Sequence, residues 1–241
     1  MEQLEARLRE AVRHFWLTRD QQSTRQVGAL DADRGGRSAV TGGKQMDGFV
    51  RLVRERLIAA KVPESCIAVD RQVELPGWFR AEKKWDLVIV HERELLAALE
   101  FKSQIEPSFG NNFNNRTEEA LGSATDIWAA YREGAFKPSA RPFLGYLMLL
   151  EDCDRSRSPV KVASPHFPVF PEFRGASYRD RYAILVEKLL RERLYDGACL
   201  LLSRASSAAT GDYTEPNSEL TFAKFLTPLV AQVAAACAQG A

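Results

Sequence analysis

Residues 83–104 read KKWDLVIVHERELLAALEFKSQ. The segment 85–90, WDLVIV, is rich in β-branched and aromatic residues and predicts a strand. Residues 95–102, LLAALEFK, fit helix or strand by pattern alone. The β-rich segment before them and the short polar connection HERE favour a hairpin. Side chains of a strand alternate between faces, so Glu100 and Lys102 point the same way. A turn centred on Arg93 leaves Asp86 seven residues before it and Glu100 seven after it. The two carboxylates then become direct cross-strand neighbours. Facing acids repel unless a cation lies between them, and a hard divalent ion with oxygen ligands is the natural occupant.

That geometry suits hydrolysis of a phosphodiester. A Mg²⁺ held by Asp86, Glu100 and the backbone carbonyl of Phe101 would polarise a phosphoryl oxygen and lower the pKa of a bound water. Lys102 would stand beside that water. Two neighbouring carboxylates keep an ammonium protonated, so offsetting transition-state charge is its first role and general base its second. A D…ExK pattern is weak by itself, because an exposed salt-bridged strand pair produces it too. Two features favour chemistry: Glu100-Phe101-Lys102 ends the apolar run LLAAL, where unpaired charge is costly, and Asp86 is expected to begin its strand.

Outward from this hairpin the chain reads as alternating helices and strands. Residues 2–22 carry Leu4, Leu8, Val12 and Phe15 at helical spacing. Residues 31–44, DADRGGRSAVTGGK, form a loop by composition. Their Gly-Gly-Lys lacks the spacing of a phosphate-binding loop. A second helix over 45–60 aligns Met46, Phe49, Val50, Val53 and Leu57, with Asp47 beside that face as a further possible metal ligand or as a dipole-matched surface acid. A loosely alternating strand is expected over 67–75, a loop over 107–115 (PSFGNNFNN), and a helix over 116–132 with Leu121, Ala124, Trp128 and Tyr131 on one face. Then come a buried strand or short apolar segment at 143–150, a proline- and aromatic-rich packed loop at 164–178, a helix at 179–195, a core strand at 197–203 and a closing helix from Leu229. No repeat or linker interrupts this order, so residues 1–241 are expected to form one domain.

Several polar residues near the hairpin are candidates for nucleic-acid contact. Gln104 continues the face of Glu100 and Lys102. Asn111, Asn112, Asn114, Asn115 and Arg116 follow directly; asparagine pairs bidentately with adenine and arginine with guanine, although asparagine also forms turns. Lys83 and Lys84 could bind phosphate or simply solubilise a strand start.

The 241 residues carry a net charge of only +1, so any DNA-binding charge must be local. With 45% hydrophobic and 27% charged residues, the balance is that of an ordinary globular domain. Four widely spaced cysteines, Cys66, Cys153, Cys199 and Cys237, argue against a zinc or disulfide framework and fit a reducing cytoplasm. No stretch reads as a signal peptide or as an apolar membrane span.

The block 83–104, followed by FGNNFNNRTEEALGSATDIWAAYREGAF, resembles the XhoI family of type II restriction endonucleases. The likeness extends to TGGKQMDGF (41–49) and PHFPVFPEFRGASYRDRY (165–182). It implies a PD-(D/E)xK fold, an α/β architecture with a mixed central β-sheet flanked by helices. It also implies a homodimer acting on double-stranded DNA with Mg²⁺, cleavage of the palindrome CTCGAG, and a motif mapping onto Asp86, Glu100 and Lys102. Trp85 stands where the motif name has proline, a position that carries no chemistry. Two other readings compete with sequence-specific cleavage: a nuclease that recognises branched DNA, and a DNA-binding module without catalysis.

Overall fold

The computed structural model describes residues 2–28 and 44–239. The loop expected over 31–44 falls outside them, except for Lys44, which opens a short 3-10 turn. The chain runs α1 (Glu2–Gly28), α2 (Asp47–Ala59), β1 (Ile67–Val69), β2 (Glu74–Pro76), β3 (Glu82–Lys84), β4 (Leu87–His91), β5 (Glu94–Gln104), α3 (Phe109–Arg132), β6 (Phe143–Glu151), α4 (Asp154–Arg157), α5 (Tyr178–Arg191), β7 (Gly197–Ser203) and α6 (Phe222–Gln239). Five strands form one mixed sheet in the order β1-β4-β5-β6-β7. β1, β4 and β5 are antiparallel, and β5, β6 and β7 are parallel. All nine residues of β6 are buried, as expected of a central strand covered on both faces.

Alternation along the strands builds two apolar layers. Leu87, Ile89, Leu99 and Phe101 join residues of α1, α2 and α6 on one face. Val88, Ala98, Tyr146 and Met148 join residues of α3 and α5 on the other. The α1 contribution is Leu8, Val12 and Phe15, at the helical spacing read from the sequence. Ser177 and Asp180 close a reciprocal capping box that starts α5.

The central hairpin has a tighter turn than expected and one compensating irregularity. Glu92 and Arg93 both have positive φ, as in the two-residue turns that match strand twist. A regular ladder from that turn would place Leu99 opposite Asp86. Instead Val90 pairs with Leu95 and Ile89 with Ala97, so Leu96 is an extra, bulged residue. Leu96 and Ala97 consequently face the same core layer. Beyond the bulge Leu87 pairs with Leu99, and the register that brings Glu100 to Asp86 is restored.

Four sequence expectations are corrected here. The strand expected over 67–75 is two strands, β1 and β2, divided where Asp70 and Gln72 take positive φ. β2 leaves the main sheet to pair with β3. The loop expected over 107–115 is helical from Phe109, because Phe109 and Phe113, one turn apart, anchor in the α5 layer. Leu121 is correspondingly 41% exposed rather than on the buried face of α3. The last helix begins at Phe222 and accommodates Pro228 in its second turn. That helix is long and apolar enough to cross a membrane by length and composition, yet Phe222, Phe225, Leu226, Leu229 and Val233 are buried in the core.

Candidate active site

Asp86 lies in the two-residue link between β3 and β4, one residue short of the strand in which it was expected. Its N–H donates to Leu99 O (3.2 Å), and its Oδ2 accepts from Phe101 N (2.6 Å). The carboxylate is therefore fixed against the backbone of β5, beside Glu100. Glu100 is only 4% exposed, near the end of the apolar run that delivers it. Two ammonium groups meet it there. Lys102 pairs with Oε1, and Lys83 Nζ lies 2.7 Å from Oε2. Both oxygens of this buried carboxylate are therefore compensated by an ammonium group.

The charges shape one another. Burial, and then the adjacent Glu100 carboxylate, push Asp86 up to about 6. Burial alone would also raise Glu100, but the charges of Lys102 and Lys83 hold it below the usual carboxylate range. Burial would lower Lys102, yet Glu100 and then Asp86 hold it above the ordinary lysine value. Lys102 is thus a committed cation in this setting. Tyr146, the cross-strand neighbour of Glu100 on β6, is fully buried with an unpartnered hydroxyl.

Lys83, Glu100 and Lys102 open onto a cleft of ≈ 330 Å³ that Arg80 also lines, with Glu118, Glu119, Gly122 and Ser123 contributed by α3. Two neighbouring carboxylates, of which Asp86 is made hard to ionise by burial and by Glu100, form an oxygen donor set suited to a hard divalent cation. Among the described residues no third His, Cys, Asp or Glu completes a larger metal cluster.

The other candidates separate into those the fold brings here and those it does not. Lys83 belongs to the site, where it offsets Glu100 rather than standing free for solvent or phosphate. Its place was not legible because a lysine pair on a short strand reads as surface. Lys84 alternates outward and is exposed. Gln104 is buried, and its amide donates to Ile105 O (2.6 Å), so it is occupied internally. Asp47 is not brought to the site. It sits on α2, against the opposite face of the sheet, where burial and the charge of Asp70 raise its pKa. Asn111, Asn114 and Asn115 are exposed on the first turns of α3, whereas Asn112 is half-buried. Arg116 donates to Glu119 (2.6 Å), and its charge acts on Lys102. Arg80 was missed from the sequence; the only signal was the turn PGWFR between two short strand-forming segments.

A mixed sheet with helices on both faces, presenting paired carboxylates and a lysine from a central hairpin, defines a restriction-endonuclease-like α/β protein. The chain belongs to the restriction endonuclease XhoI family, whose model matches residues 25–215. It is 51% identical over 211 residues to the type II restriction enzyme BstVI of Geobacillus stearothermophilus, covering 86% of this chain and 94% of that protein. It is 44% identical over 185 residues to the type II restriction enzyme XhoI of Xanthomonas vasicola, covering 76% and 73%. Identity to the type II restriction enzyme AbrI of Azospirillum brasilense is 49% over 164 residues, covering 68% and 73%. No solved structure matches the chain.

Proposed function

We propose that this protein is a type II restriction endonuclease, a homodimer that hydrolyses one phosphodiester in each strand of a DNA palindrome, CTCGAG by family resemblance, with Mg²⁺. The observation that carries the reading is the juxtaposition of Asp86, Glu100 and Lys102 on one hairpin, with Glu100 and Lys102 lining one cleft, in a chain of this family. Asp86, Glu100 and the Phe101 carbonyl are the ligands the reading assigns to the cation. When bound, the ion supplies Lewis-acid stabilisation of phosphoryl charge and a lowered pKa for an attacking water.

The residues of the chain supply the rest. The Phe101 N–H holds one Asp86 oxygen, so the other is directed without loss of rotamer freedom on binding. Lys102, held protonated by Glu100 and Asp86, offsets the charge that builds on the phosphoryl oxygens. Lys83 pairs with the other oxygen of Glu100 and limits the cost of burying that carboxylate. Asn111, Asn114, Asn115, Lys84 and Arg116 are the residues we assign to the DNA surface, with phosphate contacts setting position and base contacts setting sequence.

Digestion of DNA of known sequence, with the ends mapped, tests the proposal. Discrete fragments with ends inside CTCGAG are expected with Mg²⁺ and none with EDTA. Glu100→Gln should lower the cleavage rate by about a thousandfold or more. A smear of fragments, or cleavage by the variant at the normal rate, would overturn it.

A further inference from the structure

The β2–β3 hairpin, which carries Lys83 into the cleft, ends in a turn whose construction the cleavage chemistry does not explain. Trp78 and Phe79 project from it, 56% and 72% exposed. Two large aromatic side chains next to each other form an apolar patch, the kind of surface that marks a contact site. This turn is nevertheless rigidly held. The buried carboxylate of Asp126, on α3, accepts from Trp78 N (2.8 Å), Phe79 N (2.8 Å) and Arg80 Nε (2.6 Å). Gly77 allows that approach, since a Cβ there would lie 2.4 Å from Asp126 Oδ2. A buried acid spent on two backbone amides and an arginine fixes the backbone from which both rings project. Arg80 itself lines the cleft with Lys83, Glu100 and Lys102. The turn therefore lies beside the site, on a preformed element that carries Arg80 and Lys83 into the cleft.

We infer that the 77–80 turn is a DNA-contacting wedge, in which Trp78 and Phe79 pack against bases next to the scissile phosphate while Arg80 binds the backbone. Aromatic side chains stack on unpaired or partly unstacked bases irrespective of sequence. An apolar wedge at a base step bends a duplex and exposes the phosphate beside it. The inference rests on the reading of Asp86, Glu100 and Lys102 as the cleavage site, which supplies the phosphate being flanked. Asp126 is a positioning residue, acting through the turn rather than on the substrate.

Trp78 provides its own probe, because Trp16, Trp85 and Trp128 are buried. Acrylamide quenching of tryptophan fluorescence is measured for the cleavage-deficient Glu100→Gln protein, free and saturated with a short synthetic duplex bearing CTCGAG, with saturation followed by anisotropy of a label on the DNA. Binding should protect Trp78, and the protected component should vanish in the same protein carrying Trp78→Phe. In the otherwise wild-type protein, Trp78→Ala with Phe79→Ala should raise KM for cleavage about tenfold or more at an unchanged melting temperature. Asp126→Asn should have an effect in the same direction, through a looser turn. Trp78 remaining as quenchable in the complex as in the free protein overturns the inference, as does wild-type KM in the double variant. Conversion of the double variant to a monomer also overturns it, showing that the rings cover a second copy of the chain instead. If Glu100→Gln cuts at the normal rate, the cleavage-site reading fails and takes the wedge with it; if that variant is inactive and Trp78 stays unprotected, only the wedge fails.

Discussion

At the residue scale the site is governed by how two buried carboxylates share a small space. Asp86 is pushed up to about 6 by burial and by Glu100. An acid whose folded value exceeds its unfolded one binds its proton more tightly when folded. Its contribution to stability is therefore complete below the unfolded value near 4 and declines as pH rises through about 6. A divalent cation acts in the opposite sense, because it favours the ionised pair. The rise in melting temperature on adding Mg²⁺ should thus be small below about pH 5 and grow as pH rises through about 6, with proton release on binding confined to pH values below about 6. Differential scanning calorimetry across that range checks the expectation; a shift that does not change with pH would mean that Asp86 is not a ligand. The Asp86–Glu100 pair was expected from strand alternation and a count about Arg93, and the fold reaches it only because the Leu96 bulge makes up for the tighter turn. The position of Lys83 was not legible, since it depends on β2 leaving the sheet to pair with β3, a tertiary event with no local signature.

At the element scale the critical feature is the hairpin. Counting seven residues either side of Arg93 leads to the observed alignment, but by a different route, since the two-residue turn requires the Leu96 bulge to bring Glu100 into register. Deleting Leu96 should straighten the ladder while leaving Asp86 opposite Glu100, at a cost of about 2 kcal/mol of lost apolar burial. Cleavage should persist. An alanine inserted between Ala98 and Leu99 cannot be absorbed without a second bulge; otherwise it turns Glu100 towards the α1–α2–α6 layer, and cleavage should be abolished. Comparing the cleavage rates and melting temperatures of these two variants separates register from general damage. Equal activity in both would mean that strand register does not place the carboxylates. The start of α3 was misread for a related reason. Its four asparagines favour turns, but Phe109 and Phe113 supply tertiary anchoring that overrides local propensity. Asp47 illustrates the converse, since its helix was read correctly while the face of the sheet that helix covers could not be inferred from a periodic pattern.

At the scale of the whole molecule, a chain with net charge +1 must bind a polyanion through charge concentrated on one surface. Arg80, Lys83, Lys102 and Arg116 are gathered around or behind the cleft, each ion-paired there with Asp126, Glu100 or Glu119, so the cleft gathers cations without being a net basic surface by itself. One chain brings together a single set of Asp86, Glu100 and Lys102, whereas a palindrome presents two equivalent phosphates related by a two-fold axis. The proposed dimer resolves the difference by placing one site on each strand. A consequence can be measured without knowing the interface. Dimers containing one wild-type chain and one Glu100→Gln chain, isolated by carrying different affinity tags, should cut only one strand at each recognition sequence. Supercoiled plasmid with one such sequence should then accumulate as open circle, while wild-type dimers convert it to linear DNA. Direct production of linear DNA by the mixed species would require one site to cut both strands, and complete inactivity would require the two sites to act as a unit. Either result would replace the model of two independent sites with a different division of labour between the chains.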